Sequence, residues 1–285
     1  SVRLEDITYK DENGQGQYIE PVVPEPEPEK DFHNVPITGN TAEDAEPSQK
    51  PFVKEGILKD GVYTFDKDTT LTAKDADSVV VPQEDVKINA AGHTLTMNQE
   101  GREGGVNLIS DGIGKKVEIT ADKVVLDDRA GGRTDAIHMF SKDENAKSEL
   151  VVNGDLDVTA INSKDNANGI YAAGNAAVTV NGNVKMNNGD EWAVDSHESG
   201  YSYYGASGIY STSNMGPNGM GAKIVVNGDV DLKVNGNGMY TNAGGSTIDT
   251  KGDVAVEVKK DNTKGYAKGC TPNGSIFLIV LKRKP

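Results

Sequence analysis

The sequence predicts an all-β protein built as a right-handed parallel β-helix, and three observations carry that expectation. Six segments repeat one alternating apolar pattern, a short third element follows each of them, and the composition suits a thin core. Only 35% of residues are hydrophobic and 6% aromatic, while glycine reaches 33 of 285. Such a chain fills one spherical core poorly and an elongated, turn-rich body well.

Residues 1–55 form the first region. Seven of the eleven prolines fall in the first 51 residues, and Pro21-Val-Val-Pro-Glu-Pro-Glu-Pro-Glu29 alternates proline with acid. Proline favours polyproline II and the glutamates repel one another, so the region reads as an extended, disordered acidic spacer. A ligand for a proline-recognition domain is the alternative.

The repeats follow Gly56. Leu150-Val-Val-Asn-Gly-Asp-Leu-Asp-Val158, Val178-Thr-Val-Asn-Gly-Asn-Val-Lys-Met186, Ile224-Val-Val-Asn-Gly-Asp-Val-Asp-Leu232 and Ile248-Asp-Thr-Lys-Gly-Asp-Val-Ala-Val256 align on Gly154, Gly182, Gly228 and Gly252. Two looser copies precede them, with Val117, Ile119, Val124 and Leu126 in one and Val86, Ile88, Leu95 and Met97 in the other. Of the 24 positions in the four shared columns, only Thr250 is not apolar. This alternation buries one face of two short strands, joined by a tight turn that is Asn-Gly in three copies. Val180 and Val184 should point inward and Lys185 outward.

A third strand is expected at Gly105–Leu108, Ala136–Met139, Gly169–Tyr171, Gly208–Tyr210, Gly238–Tyr240 and Gly265–Tyr266. Copies begin at residues 86, 117, 150, 178, 224 and 248, so constant strands are separated by variable insertions at one turn. That pattern fits a repeated coil better than a set of antiparallel hairpins. Three strands per turn, each stacked about 4.8 Å above its counterpart, make a parallel β-helix, and the crossover rule favours the right hand. Gly61–Phe65, Leu71 and Val79–Val81 supply the first coil, and the whole body spans residues 56–269. Residues 270–285 abandon the columns. Ile276–Leu281 is an unbroken apolar run before Lys282-Arg-Lys284, expected either to cap the coil or, as the abrupt change favours, to be foreign to it.

Charge narrows the partners. With 44 acidic and 29 basic residues the net charge is −15, which argues against nucleic acid because phosphate binding needs clustered cations. The single cysteine, Cys270, allows no internal disulfide and no multi-cysteine zinc site. The longest apolar run has six residues, too few for a membrane-spanning helix, and any signal peptide is expected to have been removed.

The stretch Val86-Lys-Ile-Asn-Ala-Ala-Gly-His-Thr-Leu-Thr-Met97, followed by repeated Val-Val-Asn-Gly-Asp and Gly-Ile-Tyr elements, resembles the passenger region of bacterial autotransporter adhesins. The resemblance covers residues 56–269 and is one of repeat style. It implies the right-handed β-helix of the pectin-lyase-like superfold and an extracellular place at the outer-membrane surface of a Gram-negative-type bacterium. It further implies a host-cell or bacterial surface receptor, glycan or protein, with self-association as a second mode. Such passengers precede a translocating β-barrel, which these 285 residues do not contain. The same superfold hosts polysaccharide enzymes.

Those enzymes use paired carboxylates, or calcium-binding acids with a basic residue. The best catalytic candidate is the run Leu126–Asp135 with His138. A hydrolase needs two carboxylates across one bond, whereas the neighbours Asp127 and Asp128 point to opposite faces of a strand. No catalytic residue is assigned on that basis. His33, His93, His138 and His197 share no metal-ligand spacing, and calcium-loop motifs are missing, so neither metal nor cofactor is expected. Stacked turn aspartates such as Asp155 and Asp229 are the remaining candidates for weak calcium binding.

One insertion stands apart. Between its second and third strands the fourth copy spends 21 residues, Asn187 to Ser207, where the others spend 5 to 10. It holds the only tryptophan and three tyrosines. Rigid rings between serines and glycines are the chemistry of binding loops, and long loops often carry function. Trp192, Tyr201, Tyr203 and Tyr204, with Tyr210 on the strand that follows, are therefore the candidate ligand-binding residues. Packing of these rings on the flank is the alternative. The leading expectation is a non-enzymatic surface adhesin or aggregation module. A polysaccharide lyase or glycosidase and a purely structural stalk are the competing readings.

Overall fold

A computed structural model describes residues 28–258 apart from 35, 41–42, 46–49, 75–77, 101–106, 129–134, 162–167, 188–206, 235–236 and 243, together with residues 9–10, 13–14, 16–17 and 270–271. The chain is mostly β, and its strands form long parallel sheets. In the first three copies the two expected strands run on as one, over Val86–Glu100, Lys116–Asp128 and Ser148–Ile161. In the next three they are separate: Ala176–Val180 with Val184–Asn187, Lys223–Val226 with Val230–Val234, and Thr247–Thr250 with Val254–Val258.

Each element pairs in parallel with its counterpart in the next copy. One column of register partners runs Val86, Val117, Leu150, Val178, Ile224, Ile248. Another runs Leu95, Val124, Leu156, Val184, Val230, Val254. These are columns that the sequence aligns. All their members in the first five copies are buried, because the pleat turns alternate side chains to the same side and stacking superimposes them. In the sixth copy Ile248, Val254 and Val256 are only partly buried.

Third strands form a second parallel sheet: Ile109–Asp111, Ile137–Ser141, Ile170–Gly174, Ser207–Thr212, Asn237–Asn242 and Cys270–Thr271. Two of them differ from expectation. In the first copy Ile109 stands opposite Ile137, so Leu108 and Ile109 take the places of Ala136 and Ile137, and the strand lies beyond the expected Gly105–Leu108. Gly105-Val imitates the usual opening, but register with the neighbouring rung decides. In the last copy Cys270–Thr271 pairs with Met239–Tyr240, while Gly265–Tyr266 and the run Ile276–Leu281 lie outside the described residues.

At the Asn-Gly positions the chain bends and goes on pairing in parallel with the next copy, as a repeated coil requires and a hairpin does not. Asn181 donates its amide to Asn153 Oδ1 at 2.7 Å, and Asn227 donates to Asn181 Oδ1 at 2.7 Å. One residue past each glycine, Asp155 accepts the Asn183 N–H at 2.9 Å, Asn183 accepts that of Asp229 at 2.8 Å, and Asp229 accepts that of Asp253 at 2.8 Å. The motif is a stacking device.

The larger correction concerns residues 30–55, which the sequence assigns to a disordered spacer. Lys30–His33 pairs in parallel with Thr69–Lys74, and Ile37 bridges to Val80. Leu58–Lys59 folds back on Val62–Thr64, and a short helix, α1 (Lys50–Lys54), places Phe52 over the end of the core. The Phe52 ring, fully buried, lies 5.0 Å from that of Phe32 and 5.9 Å from those of Tyr63 and Phe65. A few large apolar side chains suffice here because they close a rung that already exists, and no repeat pattern announces them. The strands expected ahead of the first copy are present, with Val62–Thr64 and Thr69–Lys74 pairing in parallel onto Val86–Glu100. No helix among the described residues is long and apolar enough to cross a membrane.

Candidate functional site

Of the five candidate binding residues, Trp192, Tyr201, Tyr203 and Tyr204 lie outside the described residues. Tyr210 lies within Ser207–Thr212, the strand on which the chain rejoins the stack after the insertion. Its place there is part of a row. Ile137, Ile170 and Ile209 are buried, so the residue after each faces outward. Register then brings His138, Tyr171, Tyr210 and Tyr240 onto four successive rungs.

Their rings touch. The centroids are 4.7 Å apart for His138 and Tyr171, 5.3 Å for Tyr171 and Tyr210, and 4.9 Å for Tyr210 and Tyr240. The first pair is stacked at 30°, whereas the others are inclined at 65° and 44°. Aromatic pairs at such distances contribute about 0.5–1.5 kcal/mol each beyond simple burial. All four rings stay half-buried, so the row is also part of the surface. Burial pushes the Tyr171 phenol well above its ordinary value, and the nearby Tyr210 and Asp135 charges push the same way.

Beside the rings runs a polar row. Asn107 Oδ1 accepts the Asp135 N–H at 2.9 Å. Asp135 Oδ1 in turn accepts both the backbone N–H and the side-chain amide of Asn168, at 2.8 and 2.7 Å. The other oxygen, Oδ2, sits 2.7 Å from His138 Nδ1. A carboxylate can only accept, so this contact places a proton on Nδ1 and fixes the ring.

Among the described residues of the suspected run Leu126–Asp135 and His138, this pair is the acid–base constellation that forms. Asp127 lies on a strand away from it, and residues 129–134 are outside the described set. Ser110 is the register neighbour of His138 on the preceding rung. A ring stacked along the rungs turns a face rather than a nitrogen in that direction, so the three residues do not make a nucleophilic triad. Asp155 and Asp229 spend a carboxylate oxygen on the backbone of the next copy. Among the described residues no three His, Cys, Asp or Glu side chains gather as a metal site would require.

The sequence singles out Tyr210 as a binding residue and His138 only beside the acidic run, and it does not join them with Tyr171 and Tyr240 in one row. The signal was an aromatic ring at one fixed offset in four consecutive third strands. Comparison with protein-family models, with curated proteins and with solved structures finds no match for the chain.

Proposed function

We propose that the chain is a right-handed parallel β-helix that serves as a non-enzymatic adhesion module at the surface of a Gram-negative-type bacterium. Its receptor, on host or bacterial cells, meets one flank of the coil. The observation that carries this reading is the half-exposed row His138, Tyr171, Tyr210, Tyr240 on the strands next to which the aromatic insertion rejoins the stack. In-register parallel copies support the coil, and the crossover rule supports its hand. Rigid scaffolds carrying variable loops at one corner are a common arrangement for recognition.

Purified protein should adhere to host or bacterial cells, and deletion of 188–206 should abolish adhesion without moving the thermal transition. A stalk would lose nothing by that deletion. Replacing Trp192, Tyr201, Tyr203 and Tyr204 together by serine separates binding from packing. Recognition predicts lost adhesion with an unchanged melt, and packing predicts a lower melting temperature with adhesion retained.

Polysaccharide cleavage is the second reading, favoured by the Asp135–His138 pair at 2.7 Å. The engagement of both Asp135 oxygens weighs towards a holding role. Turnover of a polysaccharide panel, lost in Asp128→Ala or Asp135→Asn, would replace the adhesion reading.

A further inference from the structure

We infer that this flank is a binding site for a linear, uncharged glycan lying along the stack, with about one sugar unit per rung. The inference rests on the adhesion reading and names the chemistry of its receptor. Three features of the flank lead to it.

The first is period. The rings recur at 4.7, 5.3 and 4.9 Å, close to the length one pyranose adds to an extended chain. An extended peptide advances only 3.2–3.4 Å per residue and would drift out of step within a few rungs. A ligand whose own repeat matches the rung meets the same surroundings at each step.

The second is chemistry. Four successive rungs offer the rim of a ring, and from Tyr171 onward a phenol; the polar row accompanies the first two of them, with Asp135 beside His138 and Asn168 beside Tyr171. The inclined rings of Tyr210 and Tyr240 do not cover one another fully. Ring surface for the C–H faces of a sugar, with phenol hydroxyls at its edge, is what a carbohydrate needs.

The third is charge. Among the described residues no lysine or arginine occupies either row, the one carboxylate described there is tied to His138 and Asn168, and the chain as a whole carries −15. A sulfated or uronic polymer would be repelled.

The test titrates the full chain with β-1,4-linked N-acetylglucosamine and β-1,3-linked glucose oligomers, monomer to octamer, with a heparin fragment as the polyanionic probe. Affinity should rise with length and level off near the tetramer, and heparin should bind more weakly than the neutral oligomers. Tyr210→Ser and Tyr240→Ser should each weaken the best oligomer by about tenfold. Tyr210→Phe, which keeps the ring and its inclined contacts, should weaken it less and leave the melt unchanged. Length-independent binding, preference for heparin, no binding by any oligomer, or unchanged affinity in all three variants would overturn the inference. Adhesion measured on the same samples keeps the two readings apart. Cells that adhere equally to wild type and to Tyr210→Ser sink the glycan site alone, whereas wild type that adheres to no cell sinks the adhesion reading.

Discussion

At position 184 a valine with 1% of its surface exposed lies between Leu156 and Val230 on the neighbouring rungs. Val184→Asp would bury a carboxylate with no partner, and a loss of about 3–5 kcal/mol in denaturant melts is expected. The next residue, Lys185, faces outward between Asp157 and Asp231. Lys185→Asp should cost only about 0.2–1 kcal/mol, from like charges in one column, and Lys185→Ser less. Equal damage from Val184→Asp and Lys185→Asp would refute this register. Tyr171 links residue chemistry to pH. Its phenol is held above the ordinary value near 10, first by burial and then by the Tyr210 and Asp135 charges. Because the folded state holds the proton more tightly, this contribution is complete below about pH 10 and is lost as pH rises towards the folded value. Melting temperature should therefore fall above about pH 10, and Tyr171→Phe should make that fall shallower. Tyr63, also raised by burial, contributes in the same direction.

Two adjacent ladders meet in the corner element. A Cβ on Gly228 would stand 2.5 Å from the Gly182 carbonyl oxygen, and one on Gly182 would press into the Gly154 carbonyl. These are backbone atoms held by their own rung and cannot step aside, so Gly182→Ala should cost about 1–3 kcal/mol. Asn181→Ala removes exposed amide bonds and should cost about 1 kcal/mol. A melt in which Asn181→Ala were the more damaging would show that amide stacking, not close approach, shapes the corner. The strand columns were legible in the sequence because alternation is local, and stacking leaves one residue type per column. The Asn-Gly corner was legible as a turn between two strands, but its side-chain ladders were not, because they join residues of different copies. Leu108-Ile109 was missed as a third strand because Gly105-Val has the same opening pattern. Of the site, Tyr210 was legible as an aromatic beside an insertion, whereas the row exists only once register joins residues of four copies.

Burial is uneven along the parallel sheets. Strands Lys116–Asp128 and Ser148–Ile161 are paired on both sides and contribute fully buried residues to the core. In Thr247–Thr250 and Val254–Val258 no residue is fully buried among those described. If stability is a sum of rungs and contacts between neighbouring rungs, opening should begin where neighbours are fewest. Amide exchange should then be slowest in Lys116–Asp128 and Ser148–Ile161 and faster in Val254–Val258. On the N-terminal side of the sheets Phe52 packs against Phe32, Tyr63 and Phe65. Phe52→Ala should cost about 3–5 kcal/mol, and in a stack of this kind the loss stays local. Exchange should accelerate in Lys30–His33 and Thr69–Lys74 while Lys223–Val226 and Val230–Val234 keep their rates. Uniform acceleration along the chain would mean that the rungs open as one cooperative unit, and that Phe52 supports the whole core rather than its end.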